Sequence, residues 1–551
     1  MRRPAILIAL LLLSFNLTAQ NKGPLPPLTA HVEVQVINVD AVVTDTDGKP
    51  VMNLTRDDFE VFEDGKPQKI TNFSVFDGAV MRDAAAAAAA AKTAVPEELR
   101  RKVLLLVDNN YIEKSERDLA LNRIEQYLTK SYDGNFDYAV ASVGHGVRML
   151  QPFTTDIAAL HRAFDAARKE PVLAGRAEME RTVLSDRTRR SEAAIADNYD
   201  YGAAVRFSGR EQTFRNLLAI SETAKAVIET ARAHSADTGK KFMILLTGGM
   251  ETNTSFKAYD TKDDQQMQQL RTDLAKIQDE MVREANGASF TVHVVNARAP
   301  QMIAPQHDVE NASSGIRMTS PNLYQTEGMT DPIDTRDVDS IPLTLALGTG
   351  GMYLRSNDLN ASMQAIDRQT TNFYSLGYQP SHQGDRQYHR IRVNVKRKGV
   401  RVANRLGYYD LTADDKLEDM LRARPTFEKS VGSLPVSIAV APPATKQADD
   451  EVMNVTAELP LANLTILPRD DGYVGRVHVY LSVFDENGRN IGFQHQLQEV
   501  TLPAATGGEP TGHFKYTMKV HVRPGAAVTF VMTLRDELSN DMGSALQATK
   551  L

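Results

Sequence analysis

Four short runs built almost wholly of apolar residues, at positions 103–107, 138–143, 242–246 and 290–295, constrain this chain more than any other feature. A strand with one wet face alternates apolar and polar side chains, so runs with no polar position must be covered on both faces, as in a parallel sheet flanked by helices. The segments between the runs have helical spacing. Leu217, Ile220, Ala224, Val227 and Ala231 keep one face, as do Met267, Leu270, Leu274, Ile277 and Met281. Ser115 with Asp118 resembles a capping box ahead of Leu121, Ile124 and Leu128. A short strand over 352–354 precedes a last helix carrying Leu359, Met363, Ile366 and Phe373. The alternation predicts a doubly wound, mostly parallel α/β domain over about residues 100–378, and these apolar stripes read as core rather than as a cofactor box.

Two polar segments, 171–212 and 299–340, interrupt that domain. Loops this long are functional or disordered, and both could overhang the carboxyl edge of the sheet, where open α/β sheets bind ligands. On the N-terminal side, residues 31–78 alternate as strands do and predict a small β module. Asp45-Thr46-Asp47-Gly48-Lys49-Pro50 and Asp64-Gly65 are turns, Thr55 is placed to cap a short helical turn, and Phe59, Val61 and Phe62 can pack beneath the strands. Residues 79–99, with alanine at every position from 84 to 91, form a spacer. Beyond the α/β domain, residues 386–410 predict a β pair closed by Lys396-Arg397-Lys398-Gly399 and associated with the first two domains. A short helix and linker follow over 413–424, and then an immunoglobulin-like β-sandwich over 430–545.

The length of 551 residues accommodates such a multidomain α/β plus β arrangement. Arg2 and Arg3, an apolar run over 5–15 and small or polar residues to Gln20 have the layout of a secretory signal peptide over residues 1–20. The run is too short to span a bilayer. Cleavage would take the formal charge from -7 to -9 by removing two arginines, and would leave no membrane span, so the mature chain is expected in the periplasm or outside the cell. The chain contains no cysteine, which excludes disulfides, thiol nucleophiles and thiolate metal sites. Its negative charge lacks a basic block, which argues against nucleic acid as a partner.

Leu104-Leu105-Leu106-Val107-Asp108, Leu245-Leu246-Thr247-Gly248-Gly249, the stretch from Leu345 to Tyr353 and Phe373-Tyr374-Ser375-Leu376-Gly377-Tyr378 make the α/β segment resemble a von Willebrand factor type A domain. With the stretches 42–67 before it and 388–409 after it, the chain resembles the secreted VWFA-related proteins described from Acidobacteria, over about residues 31–410. The resemblance implies recognition of a macromolecule at the carboxyl edge of the sheet. Type A domains often hold Mg²⁺ or another divalent cation there, through an Asp-x-Ser-x-Ser motif, a Thr and a second Asp. Here the motif reads Asp108-Asn109-Asn110-Tyr111-Ile112. By the resemblance, Asp108 matches, Asn110 could offer an amide oxygen, Ile112 cannot ligate, Thr213 is the candidate threonine, and Gly248 stands at the second Asp, with Glu251 three residues on. The degenerate set Asp108, Asn110 and Thr213 makes a metal-free surface of Asp108, Asn109, Tyr111, Thr213 and Glu251 the better expectation.

Other motifs weigh less. Asp45-x-Asp47-Gly48 lacks the downstream glutamate of a calcium loop, and Asp331, Asp334, Asp337 and Asp339 read as a solvated acidic loop. Gly348-Thr349-Gly350-Gly351 reads as a helix end entering a strand, and Gly144-His145-Gly146 as a tight turn. Hydrolase and nucleotide signatures are absent. The expectation is a non-catalytic adhesion or assembly protein with a protein partner in the envelope or outside the cell. The alternatives are a structural envelope component and a hydrolase using carboxylates of the two long loops.

Overall fold

The structure is a computed structural model that describes residues 36–78, 101–131, 136–173, 219–250, 265–297, 341–423, 433–441, 451–469, 472–503, 512–522 and 525–550, short of a few single positions within these stretches. The signal-peptide region, the alanine spacer, most of 171–212 and all of 299–340, with Thr213, Glu251 and the acidic loop, lie outside the described residues.

Strands β1 (Ile37–Asp45), β2 (Phe59–Glu63), β3 (Lys66–Gln68) and β4 (Ile70–Phe76) come first. The four apolar runs then form β5 (Arg101–Asp108), β6 (Phe136–Val143), β8 (Lys240–Thr247) and β9 (Phe290–Asn296), with β7 (Val147–Thr154) and β10 (Tyr353–Arg355) at the two edges. Among the described residues the order across the sheet is β10-β9-β8-β5-β6-β7. All neighbours run parallel except β7, which returns antiparallel along β6. Burial on both faces explains the unbroken apolar runs. Val103, Leu105 and Val107 enter one core with Leu121, Ile124, Phe164 and Ile366, while Leu104 and Leu106 enter the opposite core with Val227, Leu274 and Met281. The helices supplying those residues are Lys114–Ser131, Ile157–Lys169, residues 219–233, Gln265–Gly287 and Leu359–Thr371. Two elements had no clear signal in the apolar pattern. Strand β7 is half-exposed along its length, and helix Ile157–Lys169 buries only Leu160 and Phe164 as large residues, beside three alanines. Ser115 lies within the first turn of its helix rather than before it, and Asp118 pairs with Lys114 and Arg117 instead of completing a capping box.

The first β module differs from its expected form. Strand β11 (Phe373–Tyr378) leaves the α/β sheet and inserts antiparallel between β1 and β4. Strands β12 (Tyr388–Val395), β13 (Val400–Ala403) and β14 (Gly407–Tyr409) complete two four-stranded sheets, β13-β1-β11-β4 and β14-β12-β2-β3. Residues 101–371 are therefore threaded between two strands of a discontinuous β-sandwich. The expected β pair of 386–410 is corrected likewise. Strand β12 joins β2 and β14 while β13 joins β1, because Ile391 and Val393 face a core already built from Val39, Val61, Tyr374 and Leu376. Phe59 and Val61 are buried there as expected, whereas Phe62 points outward under Arg392. The turn expected at Asp45 is present, with its carboxylate accepting from the amides of Asp47 and Lys49, both at 2.9 Å.

Helix Ala413–Ala423 presents Leu417, Met420 and Leu421 to Tyr480, Phe484 and Val531, so it is a wedge rather than a passive linker. Its Lys416 carbonyl accepts from Ser235 of the α/β unit at 2.6 Å, and its Leu421 carbonyl from Ser482 at 2.9 Å. The last region has strands β15 (Ser437–Ala441), β16 (Glu451–Pro460), β17 (Leu467–Arg469), β18 (Gly472–Asp485), β19 (Asn490–Pro503), β20 (His513–Val522), β21 (Ala527–Asp536) and β22 (Met542–Lys550). They form two antiparallel sheets, β15-β16-β20 and β17-β18-β21-β22 with β19 on β18, around one apolar core.

Candidate functional site

Where consecutive strands diverge to opposite sides of an open parallel sheet, their carboxyl ends leave a crevice. Here that point lies between β5 and β8, since β6 follows β5 on one side while β8, β9 and β10 continue on the other. Asp108 closes β5 at this crevice and is fully buried. Its carboxylate accepts from Thr223 Oγ1 at 3.0 Å, Thr247 Oγ1 at 2.8 Å and the Asn110 amide at 3.0 Å. Asn110 Nδ2 in turn donates to Thr223 Oγ1 at 3.1 Å. These donors carry no charge, so burial outweighs their hydrogen bonds and pushes the Asp108 carboxyl up to about 6.

The loop after β5 is held as firmly. Arg117, fully buried, donates from Nη1 to Asn109 Oδ1 at 2.9 Å and to the Glu170 carbonyl at 2.7 Å, and from Nη2 to the Arg168 carbonyl at 2.6 Å. The last two oxygens end helix Ile157–Lys169, a favourable place for a cation. Of the sequence-selected edge residues, Asp108 and Asn109 are thus buried and engaged internally, while Asn110 and Tyr111 are half-buried. Thr223 is the helix threonine found on Asp108, and Thr213, the candidate from the resemblance, lies outside the described residues.

Among the described residues, this edge does not assemble a magnesium cage. Ile112 is fully buried in apolar core. At Gly248 a Cβ would run into the Tyr111 carbonyl and stand 2.9 Å from Ile112 Cα, so no ligating side chain has room there. The hydroxyls that could ligate a cation are turned onto Asp108 as donors.

A second constellation, which the motif reading did not single out, lies in the first β-sandwich. His382, Asp385, His389 and Asp410 each place one ligand atom within 4.8 Å of the others, and the group could hold a metal ion. His382 Nδ1 stands 2.8 Å from Asp410 Oδ2 and 4.0 Å from Asp385 Oδ2, and His389 Nε2 stands 3.2 Å from Asp385 Oδ2. The two imidazoles stack at 3.7 Å. Left-handed backbone at Gly384 (φ +65) and Arg386 (φ 60) folds the loop back on β12, and a side chain at Gly384 would meet Thr412 Cγ2 at 2.7 Å. The Asp64-Gly65 turn brings Asp64 onto the same strand, where Oδ2 lies 2.8 Å from His389 Nδ1 and Oδ1 accepts the Arg390 amide at 2.9 Å. Burial lowers the His389 imidazole, but the bonds to Asp64 and Asp385 outweigh it and hold the group above its ordinary value. The local sequence signal was the spacing His382-x-x-Asp385-x-x-x-His389; Asp410 and Asp64 are brought in only by the fold.

No protein-family profile matches the chain, and no curated protein does. Among solved structures, an aerotolerance-related membrane protein from Bacteroides fragilis is 9% identical over 49% of this chain and 97% of its own, with a TM-score of 0.22. BatB from Bacteroides thetaiotaomicron is 10% identical over 49% of this chain and 98% of its own, at 0.21. A calcium-binding mutant of Bacteroides uniformis beta-glucuronidase 2 is 10% identical over 21% of this chain at 0.15, and the chain spans only 13% of that enzyme's length. Likenesses this weak assign neither fold nor function. No helix among the described residues is long and apolar enough to cross a membrane.

Proposed function

We propose that the protein is a non-catalytic binding protein, exported to the periplasm or the outside of the cell, which grips a protein partner at the carboxyl edge of its parallel sheet. One observation carries this reading: the carboxylate at the switch point is committed to three internal donors. A fixed Asp108 frames the edge and leaves half-buried Asn110 and Tyr111 upon it, and tyrosine is a residue type that anchors protein interfaces. The resemblance to type A domains points to the same edge, and the threading of the α/β unit into a β-sandwich supplies a rigid base for it.

The test is capture of a protein partner from envelope extract by the immobilised full chain. Tyr111→Ala should weaken capture at least tenfold, as should deletion of residues 299–340, while Asp108→Asn should leave it within twofold. Capture unchanged by both Tyr111→Ala and the deletion contradicts the reading and favours a structural role in the envelope.

A further inference from the structure

We propose that His382, Asp385, His389 and Asp410 form a structural site for a divalent transition-metal ion, zinc being the best match. The ion would clamp the loop ahead of β12 onto the first β-sandwich. Two imidazoles and two carboxylates are ligands that zinc takes in tetrahedral sites, and nitrogen donors favour it over magnesium or calcium. At zinc bond lengths of about 2.0–2.1 Å, neighbouring tetrahedral donors stand roughly 3.3 Å apart. Three of the separations are 2.8, 3.2 and 4.0 Å and all four donors lie within 4.8 Å of one another, so closure around an ion draws the wider pairs inward by side-chain rotation.

The surroundings match those of a metal centre more closely than those of a surface ion pair. A metal-bound histidine characteristically offers its other ring nitrogen to a carboxylate, which fixes ring orientation. His389 does so, and His382 stands close to a carboxylate without a formed hydrogen bond. His389 Nδ1 lies 2.8 Å from Asp64 Oδ2, which turns Nε2 into the cluster. His382 Nε2 lies 3.4 Å from Glu63 Oε2 while remaining a buried nitrogen without a formed hydrogen bond, which turns Nδ1 inward. Glu63 is itself fixed, buried and accepting from Tyr378 and Tyr408 hydroxyls, each at 2.7 Å. Asp410 Oδ2 accepts the Asp385 amide at 3.2 Å, and backbone bonds Arg386 to Asp410 and Asp410 to Gln387, both 3.0 Å, tie the two ligand-bearing segments together. Four carboxylates, from Glu63, Asp64, Asp385 and Asp410, therefore ring two stacked imidazoles, and a dication at the centre is favoured electrostatically. Asp385, whose side chain is 35% exposed, gives an ion its entry path. Four protein ligands leave no open position, which marks a stabilising rather than a catalytic ion.

The experiment strips the full chain with a chelator, removes the chelator, and titrates with Co²⁺ followed by Zn²⁺. One equivalent of Co²⁺ should bind with the visible absorption of a tetrahedral complex, be displaced by one equivalent of Zn²⁺, and persist in millimolar Mg²⁺. His382→Gln and His389→Gln should each weaken binding at least a hundredfold, and Asp385→Asn, at the exposed rim and with an unchanged circular dichroism spectrum, by ten- to a hundredfold. Failure of the wild-type chain to bind either ion overturns the proposal and leaves the cluster as an ion-pair network. Binding equally strong in the Asp385→Asn protein overturns it too, since the ion then sits elsewhere.

Discussion

Asp108 and Asp410 are both fully buried carboxylates in opposite settings. Asp108 is enclosed by two hydroxyls and an amide, and burial pushes its carboxyl up. Asp410 faces the His382 imidazole within a ring of further carboxylates. The difference teaches that a buried acid is not by itself a functional signal. An acid held by neutral donors is part of the frame, and one grouped with imidazoles and further carboxylates could receive a cation.

Breaking the frame at its most committed point should cost most. Arg117→Ala leaves the Asn109 side chain and two helix-terminal carbonyls without their donor, and should destabilise the α/β unit by about 4 kcal/mol in urea titrations. A loss under about 1 kcal/mol would mean the loop after β5 is held by something else.

The pH dependence sharpens the contrast. The folded-state carboxyl of Asp108 is raised to about 6, so the folded chain holds that proton more tightly than the unfolded one. Its contribution is therefore full below about pH 4 and is lost as pH rises through 6, by up to about 3 kcal/mol. His293, fully buried with both ring nitrogens unpartnered, runs the other way. Burial lowers it to about 3, so stability is lost as pH falls from about 6.5 toward 3, again by about 3 kcal/mol at pH 4. In unfolding titrations from pH 4 to 8, Asp108→Asn should remove the first slope and His293→Leu the second. Slopes unchanged in both variants would contradict the assignment.

Much of the frame was legible because burial on two faces leaves a mark on composition. The four apolar runs became β5, β6, β8 and β9. The splice was not legible, because Phe373–Tyr378 is as apolar as a parallel strand and nothing local says that its partners are β1 and β4, some three hundred residues away. Strand β7 escaped because an edge strand with half-exposed residues has no apolar run. At the site, Asp108 and Asn110 were legible from their place after β5, while Thr223 and Thr247 as its donors follow from side-chain positions that spacing does not encode. The histidine cluster was half visible, since three members share eight residues and the fourth arrives on β14's far side.

A smaller effect is expected at the loop that carries the cluster. Gly384→Ala puts a side chain against Thr412 at a left-handed position, and should cost about 1 kcal/mol in overall stability while weakening zinc binding severalfold. Zinc affinity unchanged by Gly384→Ala would separate the loop's shape from the cluster's ligands.

The central claim, that the carboxyl edge of the sheet recognises its partner through a sealed frame rather than through a magnesium ion, is tested most directly by partner capture with and without millimolar Mg²⁺, using the wild-type and Asp108→Asn chains side by side. The account predicts equal capture in all four conditions. Capture that requires Mg²⁺ and disappears in the Asp108→Asn chain would contradict it.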